Sequence, residues 1–115
     1  MSFEYKINKS GKIVSIEFNG RLMDRMEAVG INVEIEDLLA EGNQNYVIDL
    51  AGLEYMNSTG LNILLNLTNK AKESGGDVVI ACVSPRIESL FTVTKLDSVF
   101  NIAKNKEEAM VKLVH

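Results

Sequence analysis

The sequence predicts an α/β layer fold with a mixed sheet whose core is mostly parallel. Three observations lead there. Two runs near the N-terminus alternate apolar and polar residues at period two, as half-buried strands do. Two later runs, "YVIDL" (46–50) and "VVIACV" (78–83), are continuously apolar, as central strands covered on both faces are. Segments with helical spacing separate the later strands, giving the order β-β-α-β-α-β-α-β-α. Right-handed crossovers then lay the helices on the sheet.

Each element has a local reason. "FEYKI" puts Phe3, Tyr5 and Ile7 on one face. "NKSG" is turn chemistry, and Val14, Ile16 and Phe18 continue the alternation, so the pair reads as an antiparallel hairpin. "RLMDRMEAVG" stays unassigned. From about Ala28, the residues Ile31, Ile35, Leu38 and Leu39 recur at helical spacing, with Gly42 placed as a C′ glycine. "AGLEYMN" after the first buried strand reads as a loop. A helix is expected from about Thr59 to Glu73, stopped by "SGGD". Ser84 and Pro85 mark the next helix as N-cap and N1. "VFNI" (99–102) suits a short edge strand. Asn105, with Glu108 three residues on, opens a terminal helix in the manner of a capping box.

The chain has 115 residues, 46% hydrophobic and 24% charged, which fits one ordinary globular domain spanning 1–115. No linker or repeat divides it. Net charge is −4, so no basic footprint for nucleic acid exists. No run approaches the ~20 apolar residues that span a bilayer, so no membrane insertion is expected. The N-terminus lacks an apolar signal core. The one cysteine, Cys82, rules out an internal disulfide and suits a cytoplasmic setting; it reads as a small buried hydrophobe.

The chemistry points to "EYMNSTGLNILL" (54–65). On a helical wheel Leu61, Leu64, Leu65, Leu67, Thr68 and Ala71 share a broad arc, while Asn62, Asn66, Asn69 and Glu73 lie opposite. Ser58 projects toward the polar side. The plain reading makes Ser58 the N-cap, with Asn57 as the other candidate cap. The functional reading makes Ser58 a modifiable hydroxyl at a helix N-terminus, where the free N–H groups and dipole welcome an anion.

These residues resemble a known family. "VIDLAGLEYMNSTGLNILL" is similar to the signature of the STAS domain, in particular the bacterial anti-sigma factor antagonists. The matching positions are Asp49-Leu50, Tyr55-Met56 and Ser58-Thr59-Gly60-Leu61. "SPRIESLFTVTKLDSVFNIAKNKEEAM" resembles the family's C-terminal half, and "FNGRL" the end of its second strand. The resemblance implies a small mixed sheet with about four helices packed mainly on one side. It implies a non-enzymatic, cofactor-free protein that binds an anti-sigma factor, often a serine kinase, and so frees a sigma factor. Phosphorylation of Ser58, or as a second choice Thr59, would end the binding, and a PP2C-type phosphatase would restore it. The partner surface implied is Asp24, Asn57, Ser58, Thr59, Gly60, Asn62 and Asn66. Two departures stand out. Asn57 replaces the usual aspartate, and Met23 intervenes before Asp24. A constitutive scaffold in a signalling or lipid-transport assembly is the alternative.

Other chemistry fits poorly. The nucleophile elbow G-x-S-x-G fails at Met56, and the only histidine, His115, is the last residue, so a hydrolase triad lacks its base. Asp49 ends a central strand as a receiver aspartate would, yet the N-terminal strand supplies no acidic pair for Mg²⁺. The expectation is that Asp49 ties the following backbone by hydrogen bonds. One Cys and one His make no zinc site. Met23, Met26 and Met56 read mainly as gap fillers.

Overall fold

The computed structural model describes residues 3–113. Five strands form one sheet in the order β1-β2-β3-β4-β5. They are β1 (Phe3–Ser10), β2 (Ile13–Leu22), β3 (Asn45–Met56), β4 (Asp77–Ala81) and β5 (Asn101–Ala103). The first two pair antiparallel, Phe3 opposite Gly20, and all later pairs are parallel. Four helices follow the expected order: α1 (Val29–Ala40), α2 (Ser58–Glu73), α3 (Pro85–Val93) and α4 (Lys106–Leu113).

Strand alternation sorts the side chains into two cores. Val14, Ile16, Phe18, Tyr46, Ile48, Leu50, Val78 and Ile80 face α1, α2 and α3 through Ile31, Ile35, Leu61, Leu64, Leu67, Ile87 and Phe91. Ile13, Val47, Val79, Ala81 and Ala103 face α4 through Ala109 and Leu113. Three helices on one face and one on the other agree with the expected layering. Each large aliphatic so buried contributes about 1.5–3 kcal/mol.

Local signals act as the sequence suggests. Gly42 closes α1 at φ +95°, its N–H donating to Leu39 O while that of Asn43 donates to Leu38 O. Ser84 Oγ accepts from the N–H of Ile87, with Pro85 at the first helical position. Asn105 Oδ1 accepts from the N–H of Glu108, but the return bond reaches the N–H of Lys104 instead of Asn105's own.

Three expectations need correction, and one unassigned stretch takes a form. "AGLEYMN" is mostly strand: β3 runs on to Met56 because β2 also continues, pairing Gly20 with Leu53 and Leu22 with Met56 after two register shifts. Leu53 and Met56 are buried there, whereas exposed Ala51, Gly52 and Glu54 give the segment its loop-like composition. The unassigned 21–30 stretch is the end of β2 and a 3₁₀ turn (Arg25–Ala28) leading into α1. The edge strand begins at Asn101, because Phe100 turns inward onto Phe91, ring centroids 5.0 Å apart. Cys82 lies beyond β4, half-buried, at φ +60°.

The hairpin is tied to the helical layer by the Tyr5 hydroxyl, which donates to the Glu34 carboxylate of α1. That bond, with desolvation and the Glu34 charge adding, pushes the Tyr5 phenol up from its ordinary value to about 12. A raised folded-state pKa stabilises the fold fully below the unfolded value near 10, and the contribution disappears as pH rises toward 12. Tyr46, pushed up to about 12 by burial and then by Glu41, titrates in the same window. Urea titrations at successive pH values are therefore expected to show wild-type stability falling between pH ~10 and ~12, with a smaller fall for Tyr5→Phe.

Candidate functional site

The parallel strands β2 and β3 end together, Leu22 beside Met56, while β4 stops earlier beside Asp49, and α2 starts from the β2–β3 end. Asn57 sets where it starts. Its backbone is extended, and its Oδ1 accepts from the N–H of Gly60 at 3.0 Å. Its Nδ2 donates to Met23 O at 3.1 Å. Asn57 is therefore the cap, and the expectation that Ser58 caps is corrected. The amide wins because it satisfies the helix and the β2–α1 loop at once, which a serine hydroxyl is too short to do.

That assignment leaves Ser58 as the first helical residue, exposed. No hydrogen bond within the described residues engages its hydroxyl. Thr59 is half-buried beside it. Gly60, expected on the partner surface, is buried: a Cβ there would meet Leu22 O at 2.4 Å. Only glycine lets the first turn of α2 come this close to the end of β2.

Asp24 is exposed and occupied locally. Its Oδ1 accepts from the N–H of Met26, while Glu27 Oε1 accepts from the N–H groups of Met23 and Asp24. This capping box fixes the 3₁₀ turn and sets Arg25 across from α2. Arg25, Thr59, Asn62, Ile63 and Asn66 line one cleft of about 460 Å³. Of the expected surface residues, the structure thus brings Thr59, Asn62 and Asn66 together in the cleft, while Ser58 precedes Thr59 on α2 without lining it. It adds Arg25, which the sequence reading missed. The signal was present, since Asp24 and Glu27 have capping-box spacing. The same segment exposes Met23, Met26, Val29 and Val33, the last three at intervals of three and four residues.

Charges of both signs gather here, Asp24 and Glu27 flanking Arg25 in the 3₁₀ turn. The first turn of α2 holds no acidic residue, so its dipole is unopposed. Arg21 and Arg86 both stand 6.0 Å from the Tyr55 ring centroid. Asp49 is half-buried, and its Oδ1 accepts from the N–H of Ala51 at 2.9 Å, the backbone tie that was expected. Desolvation, then the neighbouring Asp49 carboxylate, pushes the Cys82 thiol up, away from a reactive thiolate. The lone histidine, His115, lies outside the described residues. Among the described residues no cluster of three potential metal ligands occurs, and no helix is long and apolar enough to cross a membrane.

The STAS domain profile matches residues 4–109. The chain belongs to the STAS domain family. Relatives of this STAS protein include BtrV of Bordetella bronchiseptica, 26% identical over 105 residues, which span 85% of this chain and 90% of that one. The anti-sigma-B factor antagonist of Bacillus subtilis is 32% identical over 69 residues, 60% of this chain and 63% of its own. Among solved structures, the Bacillus cell fate determinant SpoIIAA in its phosphorylated form is similar, with a TM-score of 0.73. It is 19% identical, and the match covers 95% of this chain and 98% of that one. The five-stranded mixed sheet with four helices is the STAS fold.

Two substitutions test this geometry. Gly60→Ala is expected to cost about 1–3 kcal/mol in urea unfolding, because the methyl has to push back the Leu22 carbonyl. Asn57→Asp keeps the acceptor for Gly60 but turns a donor into a carboxylate facing Met23 O. Amide exchange in the 3₁₀ turn is expected to speed up in that variant while α2 stays protected; unchanged exchange there would contradict the role given to the Asn57 amide.

Proposed function

We propose that this chain is an anti-sigma factor antagonist switched at Ser58. It acts as one STAS domain in the cytoplasm, without a cofactor and without catalysing a reaction. Unphosphorylated, it binds an anti-sigma factor that is also a serine kinase, and a sigma factor is released to transcription. The kinase places phosphate on Ser58 and the partners separate; a PP2C-type phosphatase resets the cycle. The bound surface comprises Asp24, Asn57, Ser58, Thr59, Asn62 and Asn66, with Arg25 and the exposed Met26–Val29–Val33 ridge beside them. Gly60 serves by letting α2 sit close.

The observation that carries this reading is the uncommitted hydroxyl of Ser58. Because Asn57 caps, the Ser58 side chain has no structural task to lose. Magnitudes then separate the fold from the interface. A phosphate at a helix N-terminus is tolerated or favourable by about 0.3–1 kcal/mol. The same charge trapped without a partner inside a protein interface costs roughly 3–5 kcal/mol. A modification that spares the fold and breaks the complex is what partner switching requires.

Asn57 favours one second reading. Where the family has aspartate, this chain has an amide that pins the Met23 loop, which suits a constitutive scaffold with a fixed surface. Intact-mass analysis after incubation with host lysate and ATP separates the two. The switch predicts one added phosphate, mapped to Ser58 and absent in Ser58→Ala. No addition in a lysate that phosphorylates a control antagonist would favour the scaffold.

A further inference from the structure

We infer that the β2–β3 end of the sheet, with the start of α3, carries a docking site for carboxylate side chains, built from Arg21, Tyr55 and Arg86. This gives the partner of the proposed switch an acidic contact segment, and only the partner's identity rests on that reading.

The chain has three arginines, at 21, 25 and 86, in a protein of net charge −4. All three gather at one end of the fold. Arg25 lines the cleft beside α2. Arg21 is the penultimate residue of β2, opposite Tyr55 in the register, and Arg86 is in the first turn of α3. Both guanidiniums stand 6.0 Å from the Tyr55 ring, so they lie within twice that distance of each other. The two like charges share one ring, and the fold supplies neither with a counter-charge among the described residues. Among the described residues the salt bridge is Lys70–Glu36, and no carboxylate pairs with any arginine. Both Arg21 and Arg86 are exposed, and neither makes a side-chain hydrogen bond among the described residues. Tyr55 is half-buried and gives the two forks a fixed platform through cation–π contact. Each fork keeps donors that match a carboxylate bidentately. Glu54 adjoins Tyr55 and Glu88 is two residues from Arg86, yet neither forms an ion pair with Arg21 or Arg86. An acidic segment on another protein completes the site instead, and such contacts steer association and choose between partners.

The test uses the whole unphosphorylated chain and needs neither kinase nor sigma factor. Nitrogen-15 spectra, including arginine side-chain signals, are followed while a short oligoglutamate peptide is added, with oligolysine as control. The expected result is saturable shifts centred on Arg21, Tyr55 and Arg86 with oligoglutamate only, and affinity falling about tenfold in Arg21→Gln/Arg86→Gln. Tyr55→Leu keeps both charges, and weaker binding there shows that the platform matters beyond net charge. Shifts scattered over the surface lysines, or equal affinity in the double variant, would overturn the site. Because Ser58 is unmodified throughout, a chain that binds oligoglutamate yet is never phosphorylated would refute the switch and leave this site standing.

Discussion

The close approach of the first turn of α2 to the end of β2 is the constraint on which the functional end of this protein depends. Gly60 lies against the Leu22 carbonyl where no other side chain fits. One residue group earlier, the Asn57 amide faces both ways, capping α2 and holding the Met23 carbonyl. These contacts fix the helix start relative to the strand ends. They also fix the loop that carries Asp24 and Arg25. The cleft beside α2 and the freedom of the Ser58 hydroxyl both follow from that fixed geometry.

Electrostatics gives the same end its character. The protein as a whole is acidic, yet Arg25 lies beside the first turns of α2, and Arg21 and Arg86 flank Tyr55 two residues before its cap. A dianionic phosphate there meets a field that favours it, so modification and folding do not compete. A partner that relies on the same guanidiniums would meet a new negative charge beside them. The proposed switch and the proposed acidic contact would draw on one local potential, read once by the fold and once by the interface.

The core architecture was legible because strand and helix periods differ and the buried runs are strong. Val14, Ile16 and Phe18 alternate, "VVIA" is continuously apolar, and Gly42, Ser84 and Asn105 punctuate as expected. The errors share a cause: each depends on what a residue meets across the sheet. Ala51 and Gly52 look like loop until β2 is known to extend beside them. Cys82 reads as core until the strand is seen to stop one residue earlier. Ser58 and Asn57 are equally good caps in sequence, and the carbonyl of Met23, 34 residues away, decides between them. The Arg21–Tyr55–Arg86 group was invisible for the same reason, since its meaning is its convergence from two strands and a helix, whereas the turn that carries Arg25 was signalled by Asp24 and Glu27.

The central claim is that a charge at residue 58 changes the surface of this STAS domain and leaves its fold alone. The most direct measurement is the nitrogen-15 amide spectrum of the protein carrying phosphoserine at position 58, together with its urea stability, against the unmodified chain. The account expects shifts confined to the first turn of α2, the Arg25 turn and the nearby arginines, with stability equal or slightly higher. Shifts spread through the buried faces of α2 and β3, or a loss of stability of several kcal/mol, would show that the phosphate works by remodelling the fold, and would contradict it.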